Sequence, residues 1–201
     1  MALAPHMRAH TWLDSHLPSL ELADARAALI HMANTPAFVE TQIVPLLAHI
    51  APASAPYIAQ SYGNQAGSAC LQVFVWPVGA QTPIHDHTSW GAYYCIVGSL
   101  LEERYERLDA RAQPDIAQLR KRWRRLWTHG DGVSTVQPYE GGIHRIANWH
   151  RRPALSLHLY GPRMGVLDGR DYDPTRDFVC DRLEQNERLI DKPQPWASAT
   201  A

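Results

Sequence analysis

Three histidines set the chemical possibilities of this chain. His85 and His87 stand in the run Thr82-Pro83-Ile84-His85-Asp86-His87-Thr88, and His144 in Gly141-Gly142-Ile143-His144-Arg145. Side chains alternate along extended backbone, so an H-x-H step turns both imidazoles to one face. A third imidazole from a neighbouring strand would close a three-nitrogen metal site with positions left open. Such a site suits chemistry, whereas a fully ligated one would only brace the fold. A second polar set lies in Ser156-Leu157-His158-Leu159-Tyr160. On a strand, Ser156, His158 and Tyr160 share one face and the two leucines the other, which predicts a polar cavity wall backed by an apolar layer. Ser156 can hydrogen-bond His158, which can fix the Tyr160 hydroxyl. A satisfied interior network without chemistry would read the same way in sequence. A hydrolase triad is discounted because no glycine-flanked serine elbow is present.

The elements that must carry these residues change character along the chain. Residues 1–50 read as helical: Leu22, Ala25, Ala28, Leu29 and Met32 recur at helical spacing, and Thr35-Pro36 predicts an N-cap and first turn for a second helix to about Ala48. From about Tyr57 the texture is that of short strands. Leu71–Trp76, Ile84–Thr88, Gly91–Val97, Leu100–Leu108, Arg122–Trp127, Ser134–Gln137, Ile143–Ala147 and Ala154–Tyr160 are separated by turns such as Gly98-Ser99 and Gly130-Asp131-Gly132. Strands at this spacing predict an antiparallel barrel or sandwich. Phe178–Ile190 is expected to be a helix or a packed arm, and residues 192–201 a loose tail. One domain is expected over 1–201: helical segment 1–56, barrel 57–175, arm and tail 176–201.

The glycines and prolines around the histidines sharpen this reading. Gly79 precedes His85 by six residues and Gly98 follows His87; further on come Gly132, Pro138, Gly141, His144 and Asn148. Together they resemble the two motifs of the cupin superfamily, whose fold is a double-stranded β-helix barrel, so the expected fold class is mainly β with an N-terminal helical segment. The chain departs from the pattern in having Trp90 and Gly91 where a ligand glutamate usually stands, and in one extra residue between Pro138 and His144. Cupins with three histidine ligands and no carboxylate include the thiol dioxygenases, and residues 57–165 resemble the cysteine dioxygenase and 3-mercaptopropionate dioxygenase family in three separated elements. The resemblance implies Fe(II) held by His85, His87 and His144. It also implies a Ser156–His158–Tyr160 triad, and a small thiol and O2 as partners.

The same resemblance leaves the substrate open. The upstream position that carries a carboxylate-binding arginine in cysteine dioxygenases falls on Ala59, beside Tyr57 and Gln60. In mercaptopropionate dioxygenases the arginine follows the triad, where Arg163 and Arg170 are the candidates here. Substrate contacts are therefore expected from Tyr57, Gln60, Arg163 and Arg170, with a guanidinium–carboxylate pair as anchor. Cys95 does not fall where animal cysteine dioxygenases carry a crosslinking cysteine, and reads as a small buried apolar residue. Alternatives are another metal-dependent cupin enzyme acting on a non-thiol, or a binding module without turnover.

Bulk properties add boundaries. The 201 residues carry a net charge of -1 and 45% apolar side chains, which gives no reason to expect nucleic acid or an acidic membrane as partner. The basic run Arg120–Arg125, broken by Trp123, reads as a solvated hairpin edge. Three widely spaced cysteines, with no apolar run of membrane length and no secretory signal, predict reduced thiols and a cytoplasmic protein. Oligomeric state is not encoded legibly.

Overall fold

A computed structural model describes residues 13, 15–48, 50, 53, 55–63, 67–162 and 167–183. The expectations for Arg163 and the tail lie outside those residues. Helix α1 (Leu22–Ala33) buries Ala25, Ala28, Leu29 and Met32, the positions its spacing singled out. The second helical stretch is an α-turn at Pro36–Phe38, a π-helical turn at Val39–Ile43 and an α-turn at Val44–Leu47. Pro45 lacks the N–H that an α-helix would send to the Thr41 carbonyl, and a wider turn accommodates that loss. Thr35 does not cap this stretch through its side chain; its hydroxyl donates back to the His31 carbonyl at 2.8 Å, closing α1 instead.

Two antiparallel sheets form the barrel. One contains, in order, β1 (Tyr57–Tyr62), β2 (Cys70–Trp76), β9 (Ala154–Tyr160), β4 (Gly91–Val97) and β7 (Ser134–Val136). The other runs β11 (Phe178–Leu183), β10 (Leu167–Asp173), β3 (Ile84–His85), β8 (His144–Ala147), β5 (Ser99–Arg107), β6 (Leu119–Thr128). The helices cover the outer face of the first sheet, where Leu71, Val73, Val75, Leu155, Leu157 and Leu159 join them in one core. Between the sheets, Trp76, Tyr93, Leu100, Trp127 and Ile146 fill one part of the interior. The mainly β barrel expected from the strand pattern is thus present.

The C-terminal expectation is corrected. Phe178–Leu183 is strand β11, paired antiparallel with β10, so the barrel extends past residue 175. Its partner Leu-Asp-Gly-Arg-Asp-Tyr-Asp is poor in strand-forming residues, which hid the hairpin in sequence. Asp173 makes the turn by accepting from the Thr175 N–H (3.0 Å) and hydroxyl (2.6 Å). Gly169, at φ +131°, lets β10 lie against the ligand segment, since a Cβ there would collide with the Asp86 carbonyl. The basic run is the outer strand β6, exposed throughout Arg120–Arg125, as its charge pattern suggested.

Candidate metal centre

The register of two strand pairs assembles the site. His85 on β3 lies directly opposite His144 on β8, and β9 runs between β2 and β4 so that His158 faces Gln72 and Tyr93. Strand β3 ends at His85, so His87 is placed by the loop beyond it rather than by regular pairing. What fixes that loop is Asp86, fully buried between the two histidines. Its carboxylate accepts from Arg170 N–H (2.7 Å), Arg170 Nε (2.9 Å) and Nη2 (2.6 Å), and the Tyr172 hydroxyl (2.7 Å).

The three imidazoles converge. One ring nitrogen from each lies within 4.8 Å of the others, and all three residues are buried. His85 Nδ1 is 3.0 Å from the Pro83 carbonyl, which can only accept, so Nδ1 carries the proton and Nε2 keeps its lone pair. His144 Nδ1 stands 3.0 Å from Glu102 Oε1, which fixes the same tautomer. His87 Nε2 and His144 Nε2 are 3.2 Å apart, a gap one proton or one metal ion can bridge. At a metal–nitrogen distance of about 2.1 Å, cis or tetrahedral ligands stand roughly 3.0–3.4 Å apart, so the donor set fits an ion. Burial, then the neighbouring charge of His144, holds His85 well below the ordinary histidine range. His87 is held well below it by burial and then Arg182. Neutral imidazole is the ligating form.

Ser156, His158 and Tyr160 form a directed chain. Trp76 Nε1 donates to Ser156 Oγ at 2.7 Å, Ser156 Oγ is 2.8 Å from His158 Nε2, and His158 Nδ1 is 3.1 Å from the Tyr160 hydroxyl. An indole N–H can only donate, so the serine proton finds its acceptor on His158 Nε2. His158 then donates from Nδ1 to the tyrosine oxygen, and the tyrosine's own proton is left to point elsewhere. Burial lowers His158 to about 3, so the ring stays neutral as this chain requires. Burial pushes the Tyr160 hydroxyl up, keeping it protonated. The Tyr160 ring lies 5.1 Å from that of His87.

His85, His87, His144, His158 and Tyr160 line one cavity of about 330 Å³, with Ser156 buried outside that lining. Of the expected substrate residues, the described Tyr57, Gln60 and Arg170 are not on its wall. Ile58, rather than Tyr57 or Gln60, faces it from β1; Tyr57 packs into the helix-side core and Gln60 accepts from Tyr62. Period-two alternation means that a one-residue displacement exchanges the faces. Arg170 serves Asp86 and Glu140 (2.9 Å) and is absent from the lining. The arginine that does line the cavity is Arg182, which sequence reading passed over along with β11. Its Nη1 donates to Asp171 (3.0 Å) and its Nη2 to the carbonyls of Asp86 (2.7 Å) and Asp168 (2.9 Å). Its Nε is buried without a hydrogen bond; Asp168 Oδ2, 3.4 Å away, makes an ionic contact without hydrogen-bond alignment. Glu102, also missed, is fully buried behind His144. Cys70 lines the cavity and pairs in register with Tyr160, while Cys95 is buried, as expected, and its thiol is pushed up to about 12 by burial.

The sequence matches the family described as cysteine dioxygenase type I over residues 58–173, more than half of the chain. The chain belongs to that family. Solved structures similar to it include the TT1209 protein of Thermus thermophilus, at 20% identity over 62% of this chain and 99% of that one, with a TM-score of 0.43. A Cupin 2 conserved barrel domain protein from Salinispora arenicola is 14% identical over 53% of this chain and 73% of its own, with a TM-score of 0.37. The Schizosaccharomyces pombe Cnp3 cupin domain is 14% identical over 58% and 66%, with a TM-score of 0.41. This member of the cysteine dioxygenase type I family has a barrel of two antiparallel sheets, with a three-histidine cluster inside it. Among the described residues no helix is long and apolar enough to cross a membrane.

Proposed function

We propose that this protein is a non-haem Fe(II) thiol dioxygenase, converting a small thiol carboxylate, 3-mercaptopropionate-like or cysteine-like, into its sulfinic acid. In balance, R–SH and O2 give R–SO2H, with both oxygen atoms ending on sulfur. The observation that carries this reading is the meeting of three neutral imidazole donors and the Trp76–Ser156–His158–Tyr160 chain on one cavity. Bound at His85, His87 and His144, ferrous iron would supply a redox centre that favours the thiolate form of a coordinating sulfur.

The remaining roles belong to the chain. Tyr160, held through its oxygen by His158, offers its hydroxyl proton beside His87, where it can orient or protonate oxygen on the reacting sulfur. Arg182 is the one guanidinium or ammonium cation lining the cavity among the described residues, where its charge would attract a substrate carboxylate. Phe74, Trp76, Ile58 and Ile146 supply apolar wall that excludes water from the sulfur. Three cysteines outside any disulfide suit a reducing cytoplasm, where a thiol substrate also persists.

The test is oxygen uptake by iron-loaded and zinc-loaded protein with 3-mercaptopropionate, cysteine, cysteamine and mercaptosuccinate. One thiol carboxylate should consume O2 and yield sulfinate in equal amounts with iron, and none should with zinc. Uptake by the zinc form at the iron rate, or no turnover of any thiol by the iron form, refutes the proposal.

A further inference from the structure

Glu102 is the most heavily hydrogen-bonded carboxylate near the site, and no part of the catalytic reading uses it. It sits on β5 with no exposed surface. Oε1 accepts from His144 Nδ1 (3.0 Å) and Arg104 Nε (2.6 Å). Oε2 accepts from Ser134 Oγ (2.6 Å), Trp127 Nε1 (2.9 Å) and, at longer range, the Tyr93 hydroxyl (3.4 Å). Five donors and no acceptor surround it, so only the ionised carboxylate satisfies every group. A bound anion of this kind is costly to bury unless each lone pair is met, which is the arrangement found.

Its placement is specific to one ligand. His85 is oriented by a neutral backbone carbonyl, whereas His144 alone among the three is backed by a full negative charge. The register sets this geometry: Arg104 lies opposite His144, and Glu102, two residues away on β5, shares that inward face. The other face of Tyr93 is stacked on His158, 5.2 Å between centroids with rings 14° apart, so the group that touches Glu102 also supports the proton chain.

Resting on the reading of His85, His87 and His144 as metal ligands, we propose that Glu102 is a positioning residue for the metal centre. It locks His144 in the Nδ1–H tautomer and strengthens the Nε2 lone pair by placing a buried anion behind the ring. The segment holding His85 and His87 has Trp90 and Gly91 rather than a carboxylate nearby, and Glu102 on β5 instead stands behind His144. Outer carboxylates of this kind are worth about 10- to 100-fold in metal affinity.

The experiment measures Fe(II) and Co(II) affinity by chelator competition on full-length protein, together with the 15N shifts of His144 in the metal-free state. Glu102→Gln should weaken both metals by about 10-fold or more while near-isosteric in shape. Ser134→Ala provides the opposite sign: with one donor removed, the carboxylate pulls harder on His144, and affinity should rise about two-fold, since only a small part of one hydrogen bond on an anion is passed on to the ring. A merely structural role would make both variants looser. If Glu102→Gln folds and binds metal within two-fold of wild type, or if His144 in wild type carries its proton on Nε2, the proposal is overturned. Should Glu102→Gln fail to fold, Ser134→Ala decides: tighter binding supports it, and unchanged or weaker binding overturns it. Absence of metal binding by the wild type would refute the ligand reading itself, a distinct result.

Discussion

Replacing Asp86 by asparagine tests how the loop between His85 and His87 is held. The fully buried carboxylate meets four donors: one backbone N–H, two guanidinium nitrogens and a tyrosine hydroxyl. An amide keeps one oxygen and turns the other position into a donor, so it faces either the Arg170 N–H or the Arg170–Tyr172 side with the wrong polarity. At least one hydrogen bond to an anion is lost, and Arg170 loses its nearest counter-charge. Removing one partner of a buried pair costs about 3–5 kcal/mol. Glu140, 2.9 Å from Arg170, remains as a second counter-ion and moves the expectation to the low end, about 3 kcal/mol. For a chain of this size that corresponds to a fall in Tm of roughly 6–12 °C. The assay is thermal and urea unfolding of metal-free protein, so that ligand binding does not mask the change. Adding Arg170→Met should restore part of the loss, because both members of the pair are then gone. A drop in Tm under about 2 °C for Asp86→Asn, on the same scaling, would refute the reasoning.

Two further outcomes are expected. Arg182→Met removes the cation that lines the cavity, so KM for a thiol carboxylate should rise by about 10-fold or more while that for cysteamine stays within two-fold, the size expected for one charge-assisted hydrogen bond; equal effects on both thiols would exclude a carboxylate contact. His158 titrates at about 3 in the fold against an ordinary 6.5, so the unfolded chain binds the extra proton between those values. Its contribution to stability is complete above pH 6.5 and is lost as pH falls toward 3, with a slope of about 1.4 kcal/mol per pH unit. His158→Gln should flatten the pH dependence of unfolding by that slope in metal-free protein, and an unchanged slope between pH 4 and 6 would contradict it, since the linkage acts over that window.

The parts of the site that sequence made legible are those in which chemistry and local geometry coincide. His85, His87 and His144 are polar residues in apolar, turn-bounded segments, and period-two alternation placed Ser156, His158 and Tyr160 on one face without knowledge of any partner strand. The helical positions of α1 were legible for the same reason, since a buried stripe depends on spacing alone. Tyr57 and Gln60 were misplaced because β1 turns Ile58 to the cavity and carries a bulge between Ile58 and Gln60, a displacement set by pairing with β2. Arg170 looked available until Asp86 and Glu140 claimed it. Arg182 was hidden because its strand pairs with a segment rich in aspartate, and Glu102 because a glutamate on a charged strand gives no sign of which way it faces.

Sequence by itself determined the histidine runs, the shared face of Ser156, His158 and Tyr160 and the strand rhythm, because each depends on residues a few positions apart. Tertiary structure alone decided which charges surround them: Glu102 behind His144, Asp86 clamped by Arg170, and Arg182 turned into the cavity. Electrostatic partners are chosen by strands brought together over 42 to 84 positions, and burial sets how strongly each pair acts. Neither quantity exists until the sheets close.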